Sequence, residues 1–127
     1  MEYIFLVARV VFGGYFIMNA FNHFRNSDML AGYAGSKNVP SPKMAVIASG
    51  TLALLGGLGL VLGAYVNLSV ILILLFLIPI TLMVHDFWKS PTPEARAMEY
   101  VQFTKNVALM AGALAFLAVP QPWMWSL

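Results

Sequence analysis

Residues 65–87, YVNLSVILILLFLIPITLMVHDF, contain no charged side chain before Asp86. A run this long and apolar matches the ~20 residues that carry a helix across about 30 Å of hydrocarbon. A helix is also the form that satisfies its own backbone groups there. Three more stretches read the same way, at about 3–24, 43–63 and 100–119. Together they predict an all-α membrane protein, a four-transmembrane-helix bundle forming a single domain over residues 1–127.

Composition excludes the soluble alternative. The chain is 61% hydrophobic and 9% charged, with mean hydropathy +0.82, against roughly one-quarter charged residues in soluble domains. The connections are too short to hold a second domain. The first apolar run is too long for a secretory signal, contains Arg9 and lacks a small-residue cleavage site, so it is expected to remain as a span. The chain has no cysteine, which excludes thiol exchange, disulfide relay and thiolate-held iron–sulfur clusters. Any redox role must then be indirect or use a bound cofactor that is not covalently attached. A net charge of +2 with dispersed basic residues gives no footprint for nucleic acid.

Basic residues set the expected orientation. In a four-span hairpin the termini and the 63–67 turn share one side, and residues 25–43 and 88–99 share the other. That second side owns Arg25, Lys37, Lys43, Lys89 and Arg96, with Lys105 just inside the adjoining membrane end, whereas Arg9 alone lies toward the termini. The positive-inside tendency then places both termini outside a cytoplasmic (inner) membrane.

Local punctuation supports these boundaries. Thr92 is placed as N-cap with Pro93 at the first helical position, and Pro120 and Pro122 end the last helix. Residues 27–36 read as a short interfacial helix capped by Ser27, with Met29, Leu30 and Tyr33 toward lipid. Trp88, Trp123 and Trp125 fall near membrane edges and read as interfacial anchors. Pro79 predicts a kink in the third span that could open room for a pocket. Small residues at one-turn spacing, Ser49, Ala53 and Gly57, then Gly59 and Gly63, then Ala108 and Gly112, together with Gly13, predict close helix packing.

The polar residues inside the spans are the candidate site. At about 100° per residue, Arg9, Gly13, Phe16, Ala20 and His23 form one stripe of the first helix. Arg9 and His23 are four turns apart, about 21 Å, so they belong to opposite leaflets. Thr81, His85 and Trp88 would share a face of a helical third span, with Asp86 turned about 100° away and spaced to meet Lys89. His23, His85, Asp86, Lys105 and Asn106 lie at one depth, so a polar or ligand-binding cluster of His23, Thr81, His85, Asp86, Lys105 and Asn106 is expected, supported by Arg9 from the other leaflet, with Lys105 balanced by Asp86. The competing reading has Lys105 and His23 snorkelling to headgroups. Two histidines and one aspartate at no enforcing spacing do not make a metal site. There is no nucleophile elbow, and the Gly56–Gly59 run lies in a membrane helix, not after a strand.

The pattern resembles the DoxX family of small four-helix membrane proteins. The pieces that carry the resemblance are Arg9, Gly13, Phe16 and Ala20; Val39-Pro40-x-Pro42; Leu54-Leu55-Gly56-Gly57 with Gly63; His85-x-Phe87-Trp88; and Lys105-Asn106-x-Ala108-Leu109. Two departures stand out: Ala53 sits where many relatives carry an acidic residue, and His23 where they often carry lysine. The resemblance implies a cytoplasmic-membrane protein, sometimes a subunit of a thiosulfate:quinone oxidoreductase and sometimes linked to thiol or oxidative-stress systems. The leading expectation is a subunit that is not catalytic on its own, holds a quinone or lipid, and docks a redox protein. An accessory subunit that binds another membrane protein through its glycine faces is the alternative, and a solute or proton pathway, which requires a homo-oligomer, is a third.

Overall fold

The structure, a computed structural model, describes residues 1–127 and is all helical. Its elements are α1 Glu2–Arg25, α2 Ser27–Ser36, α3 Pro42–Leu62, α4 Val66–Met83 and α5 Pro93–Ala115, with single 3-10 turns at Phe87–Lys89 and Phe116–Ala118. Four helices are long and apolar enough to cross a membrane: Glu2–Arg25, Pro42–Leu62, Val66–Lys89 and Pro93–Ala118. The short α2 lies between the first two and packs mainly on α3.

α1 and α3 form the tightest pair. A Cβ on Gly13 would lie 2.6 Å from the Gly57 carbonyl oxygen, and one on Gly57 would lie 2.6 Å from the Gly13 carbonyl oxygen. The two backbones touch where neither has a side chain, and this close approach gains dispersion energy that lipid cannot otherwise provide. On the neighbouring face of α3, Gly56 and Gly59 receive Ile73 and Ser69 of α4. Ala53 is fully buried between these contacts. α5 meets α1 through side chains: Phe12 packs against Gly112 and lies 5.1 Å, ring to ring, from Phe116. Gly63 serves differently from its neighbours, as the left-handed cap of α3 at φ 69°.

The buried stripe of α1 comprises Arg9, Gly13, Phe16, Ala20 and His23, the periodicity read from the sequence. Thr92 caps α5 through a 3.1 Å bond to its hydroxyl from the Ala95 N–H. The cap of α2 is Asn26 and not Ser27, which is the first helical residue and accepts a 2.9 Å bond from Lys43 Nζ.

The third span departs from the expected 65–87 helix. α4 stops at Met83, five residues short of Trp88, because Pro79 has already removed one ladder donor and the N–H groups of Val84 and His85 both close on the Ile80 carbonyl. Thr81, His85 and Trp88 therefore share no helix face. The chain end also differs. Trp123 is no interfacial anchor: it is 4% exposed and packs edge-on against Phe5 at 4.8 Å, while Trp88 and Trp125 stay exposed. Residues 120–127 fold back over the termini end of the bundle, where the Leu127 N–H donates to the Leu62 carbonyl at 2.9 Å.

Candidate functional site

The polar residues do not form one cluster. They divide among a cavity, an ion-pair network above it, and an isolated arginine at the far end.

The cavity, of about 280 Å³, lies under α2 between α3 and α4, and thirteen of its sixteen lining residues are hydrophobic. Val46, Ser49 and Leu52 of α3 form one wall, and Phe76, Pro79 and Ile80 of α4 form the other. Pro79 does border a pocket, as its position suggested. Ala48, Leu75, Pro79 and Met83 are lining residues that are also exposed on the outer surface, so the cavity opens sideways toward lipid between these helices. His23 is the one imidazole in the wall. Its Nδ1 lies 2.8 Å from the Asn19 carbonyl oxygen. A carbonyl only accepts, so Nδ1 carries the proton, and the Nε2 of a neutral ring is the remaining acceptor. Phe76 holds the ring edge-on at 5.3 Å.

Tyr33 lines the same cavity but looks outward as well. Its hydroxyl donates to Glu99 Oε1, and Glu99 Oε2 accepts from His85 Nδ1 at 2.8 Å. Beside this chain Lys37 Nζ donates to Asp86 Oδ1 at 2.8 Å and lies 5.8 Å from the Tyr33 ring centroid. Asp86 is thus paired with Lys37, not with Lys105 or Lys89, because the non-helical end of α4 turns its carboxylate under α2. Tyr33 is correspondingly not a lipid-facing residue of α2 alone. Burial, and then the Glu99 carboxylate, push the Tyr33 phenol well above its usual range. On the outer edge Lys43 holds the Asp28 carboxyl below its usual range, through a hydrogen bond and its charge. These pairs stitch α2 to the loop after α4, to α5 and to α3.

Lys105 and Asn106 stand apart from both groups. Lys105 is exposed, donates to Gln102 Oε1 at 2.7 Å and lies over the Tyr15 ring. Asn106 is buried on α5. Thr81 turns its hydroxyl back to the Leu77 carbonyl at 2.6 Å, a local bond that leaves it no role in the cavity wall. Arg9 is fully buried at the opposite end and donates from Nη2 to the Trp125 carbonyl at 2.9 Å. No three His, Cys, Asp or Glu side chains gather to hold a metal.

Tyr33, Lys37 and Glu99 are the residues sequence reasoning missed. Tyr33 pairs with Glu99 across 66 positions, Lys37 with Asp86 across 49 and Glu99 with His85 across 14, and each pair lies on different elements, so no helix-spacing rule joins them. One signal was available: Glu99 falls two turns inside α5 near the membrane edge, where an unpaired carboxylate is unfavourable.

Four apolar helices, a lipid-facing cavity and a polar clasp over it define a small multi-pass membrane protein that lies in a lipid bilayer. The sequence profile of the DoxX family matches residues 4–86, more than half of the chain, and the protein belongs to that family. The match covers α1 to the end of α4 and stops before Lys105 and Asn106. No curated protein and no solved structure matches the chain.

Proposed function

We propose that the protein is a partner-dependent subunit of a cytoplasmic-membrane redox complex and that its α2–α3–α4 cavity holds the ring of a quinone-type molecule or part of a lipid. The observation that carries this reading is the cavity itself, apolar, open to the bilayer and supplied with a single imidazole acceptor. At about 280 Å³ it lies just under the roughly 300–1,000 Å³ of small-molecule sites. It therefore suits a headgroup ring or a stretch of chain whose remaining tail stays in lipid. Neutral His23 favours a ligand that donates a hydroxyl, such as a quinol or a glycerol, over one that presents only carbonyls.

The glycine faces do not favour the accessory-subunit alternative, since Gly13, Gly56, Gly57 and Gly59 are filled from within the bundle. A protein partner would meet other surfaces, and the basic loop side, which we place in the cytoplasm, offers Lys89 and Arg96. Purification in mild detergent followed by identification of copurified small molecules tests the reading. A quinone or quinol retained by the wild type and lost in His23→Leu supports it, whereas a stoichiometric membrane protein with no such ligand supports the alternative.

A further inference from the structure

Arg9 is 0% exposed and has no carboxylate within ion-pair distance, since the ion pairs of the molecule are Lys37–Asp86, Lys43–Asp28 and His85–Glu99. Its Nη2 donates to the Trp125 carbonyl, and the face of the Trp123 ring lies 5.5 Å from its central carbon. Nε and Nη1 find no acceptor in the protein, although both are shut off from the surface. A guanidinium is permanently charged with five N–H donors, and a buried charge without a counter-charge is unfavourable in a low-dielectric interior. One backbone carbonyl and one ring face do not balance it.

What encloses Arg9 is the returning chain end. Ser126 packs on Gly63, whose added Cβ would lie 2.7 Å from the Ser126 Cβ and 2.8 Å from Arg9 Nη1. The segment is tied back by the Leu127 N–H to the Leu62 carbonyl and by Gln121 Nε2 to Asn67 Oδ1 at 3.1 Å, and Trp125 sits at φ 59°, a left-handed conformation a tryptophan resists. Trp123, 4% exposed and packed on Phe5 and Phe116, stays with the core, so the part that can lift is residues 124–127. Arg9 lies two turns, about 10 Å, into α1, and its side chain leans toward the helix N-terminus, which brings the guanidinium near headgroup level.

We propose that Arg9 is an oxyanion site beneath a C-terminal lid. When residues 124–127 lift, a phosphate group, carried by a phospholipid headgroup or free in solution, replaces the Trp125 carbonyl and pairs with the guanidinium fork. The planar fork matches phosphate oxygens two at a time, which a lysine ammonium cannot do. This site is four helical turns from His23 and is independent of what the cavity holds.

The test uses the full-length protein in maltoside micelles with three probes: phosphatidylglycerol, diacylglycerol of the same chains, and inorganic phosphate. Bound lipid is read by native mass spectrometry and the folded state by its thermal midpoint. The wild type is expected to retain phosphatidylglycerol and be stabilised by it, and to retain diacylglycerol poorly. Arg9→Gln should retain roughly tenfold less phosphatidylglycerol or worse, with Arg9→Lys between the two. A chain ended after Trp123, which lacks the lid and keeps the core ring, should retain at least as much as the wild type. Stabilisation by inorganic phosphate as well would identify free phosphate as the source, and stabilisation by the lipid alone would identify the headgroup. Equal retention of the two lipids by the wild type, with no response to phosphate, would overturn the site. Loss of retention in the shortened chain would overturn the lid. Should Arg9→Gln fail to fold, the wild-type and shortened-chain comparisons still decide.

Discussion

Two adjacent glycines should respond to the same substitution with opposite signs. Gly13 faces α3, where a new Cβ meets the Gly57 carbonyl oxygen at 2.6 Å and Val61 Cγ2 at 2.7 Å. Ordinary contact begins near 3.4 Å, so α1 and α3 would have to part by roughly 0.8 Å along their crossing. The nearest atom is backbone and cannot rotate away. Overpacking of this kind costs about 1–3 kcal/mol, and the alanine recovers up to about 1 kcal/mol of helix propensity. Gly13→Ala should therefore destabilise the fold by about 1–2 kcal/mol. Gly14, with nothing within 4 Å of an added Cβ, keeps only the favourable part, so Gly14→Ala should be neutral or stabilising by up to about 1 kcal/mol. Reversible unfolding of both variants in mixed micelles, followed by helical circular dichroism, measures the difference. Equal destabilisation by the two, or a tolerant Gly13 with a sensitive Gly14, would refute the assigned α1–α3 crossing.

Other expectations rest on the loop-side network and on orientation. Asp86→Asn leaves the half-buried Lys37 without its counter-charge and should destabilise by about 1–3 kcal/mol in the same assay, while Lys105→Ala, a change on the exposed face of α5, should stay within about 0.5 kcal/mol. The Tyr33 phenol holds its proton more tightly when folded than when unfolded, so it contributes stability below about pH 10 that is lost as pH rises beyond that value. Thermal midpoints taken from pH 8 to 11 should fall more steeply in the wild type than in Tyr33→Phe, and parallel slopes would remove the phenol from the network. For orientation, cysteines placed singly at Ser126 and Ser36 should differ toward an impermeant thiol reagent on intact cells, with Ser126→Cys labelled and Ser36→Cys protected. The reverse pattern would put the cavity end on the outer face.

The helices and the buried stripe of α1 were legible in the sequence because both follow from a local period. Hydropathy marks a span, and 3.6 residues per turn place Arg9, Gly13, Phe16, Ala20 and His23 on one side. The site was legible only in part. His23 reached the cavity, yet Lys105 and Thr81 did not, since depth in the membrane says nothing about which way a side chain turns around its helix. The sequence reading gives Asp86 the wrong lysine because α4 ends at Met83, and no glycine or proline marks that stop before Pro91. Trp123 was misread for a similar reason: its place near a membrane edge is compatible with a headgroup anchor, and only the need to cover Arg9 and Phe5 draws it inward.

Photo-crosslinking from within the cavity tests its occupancy most directly. A photoreactive amino acid in place of Leu52 lies in the cavity wall, and one in place of Leu58, on the exposed face of the same helix, lies against lipid. Irradiation in native membranes, followed by mass spectrometry of the adducts, is predicted to yield a discrete quinone-type or single-lipid adduct at residue 52 and a broad mixture of bulk phospholipids at residue 58. The same bulk mixture at both positions, or no adduct at residue 52, would contradict a bound ligand.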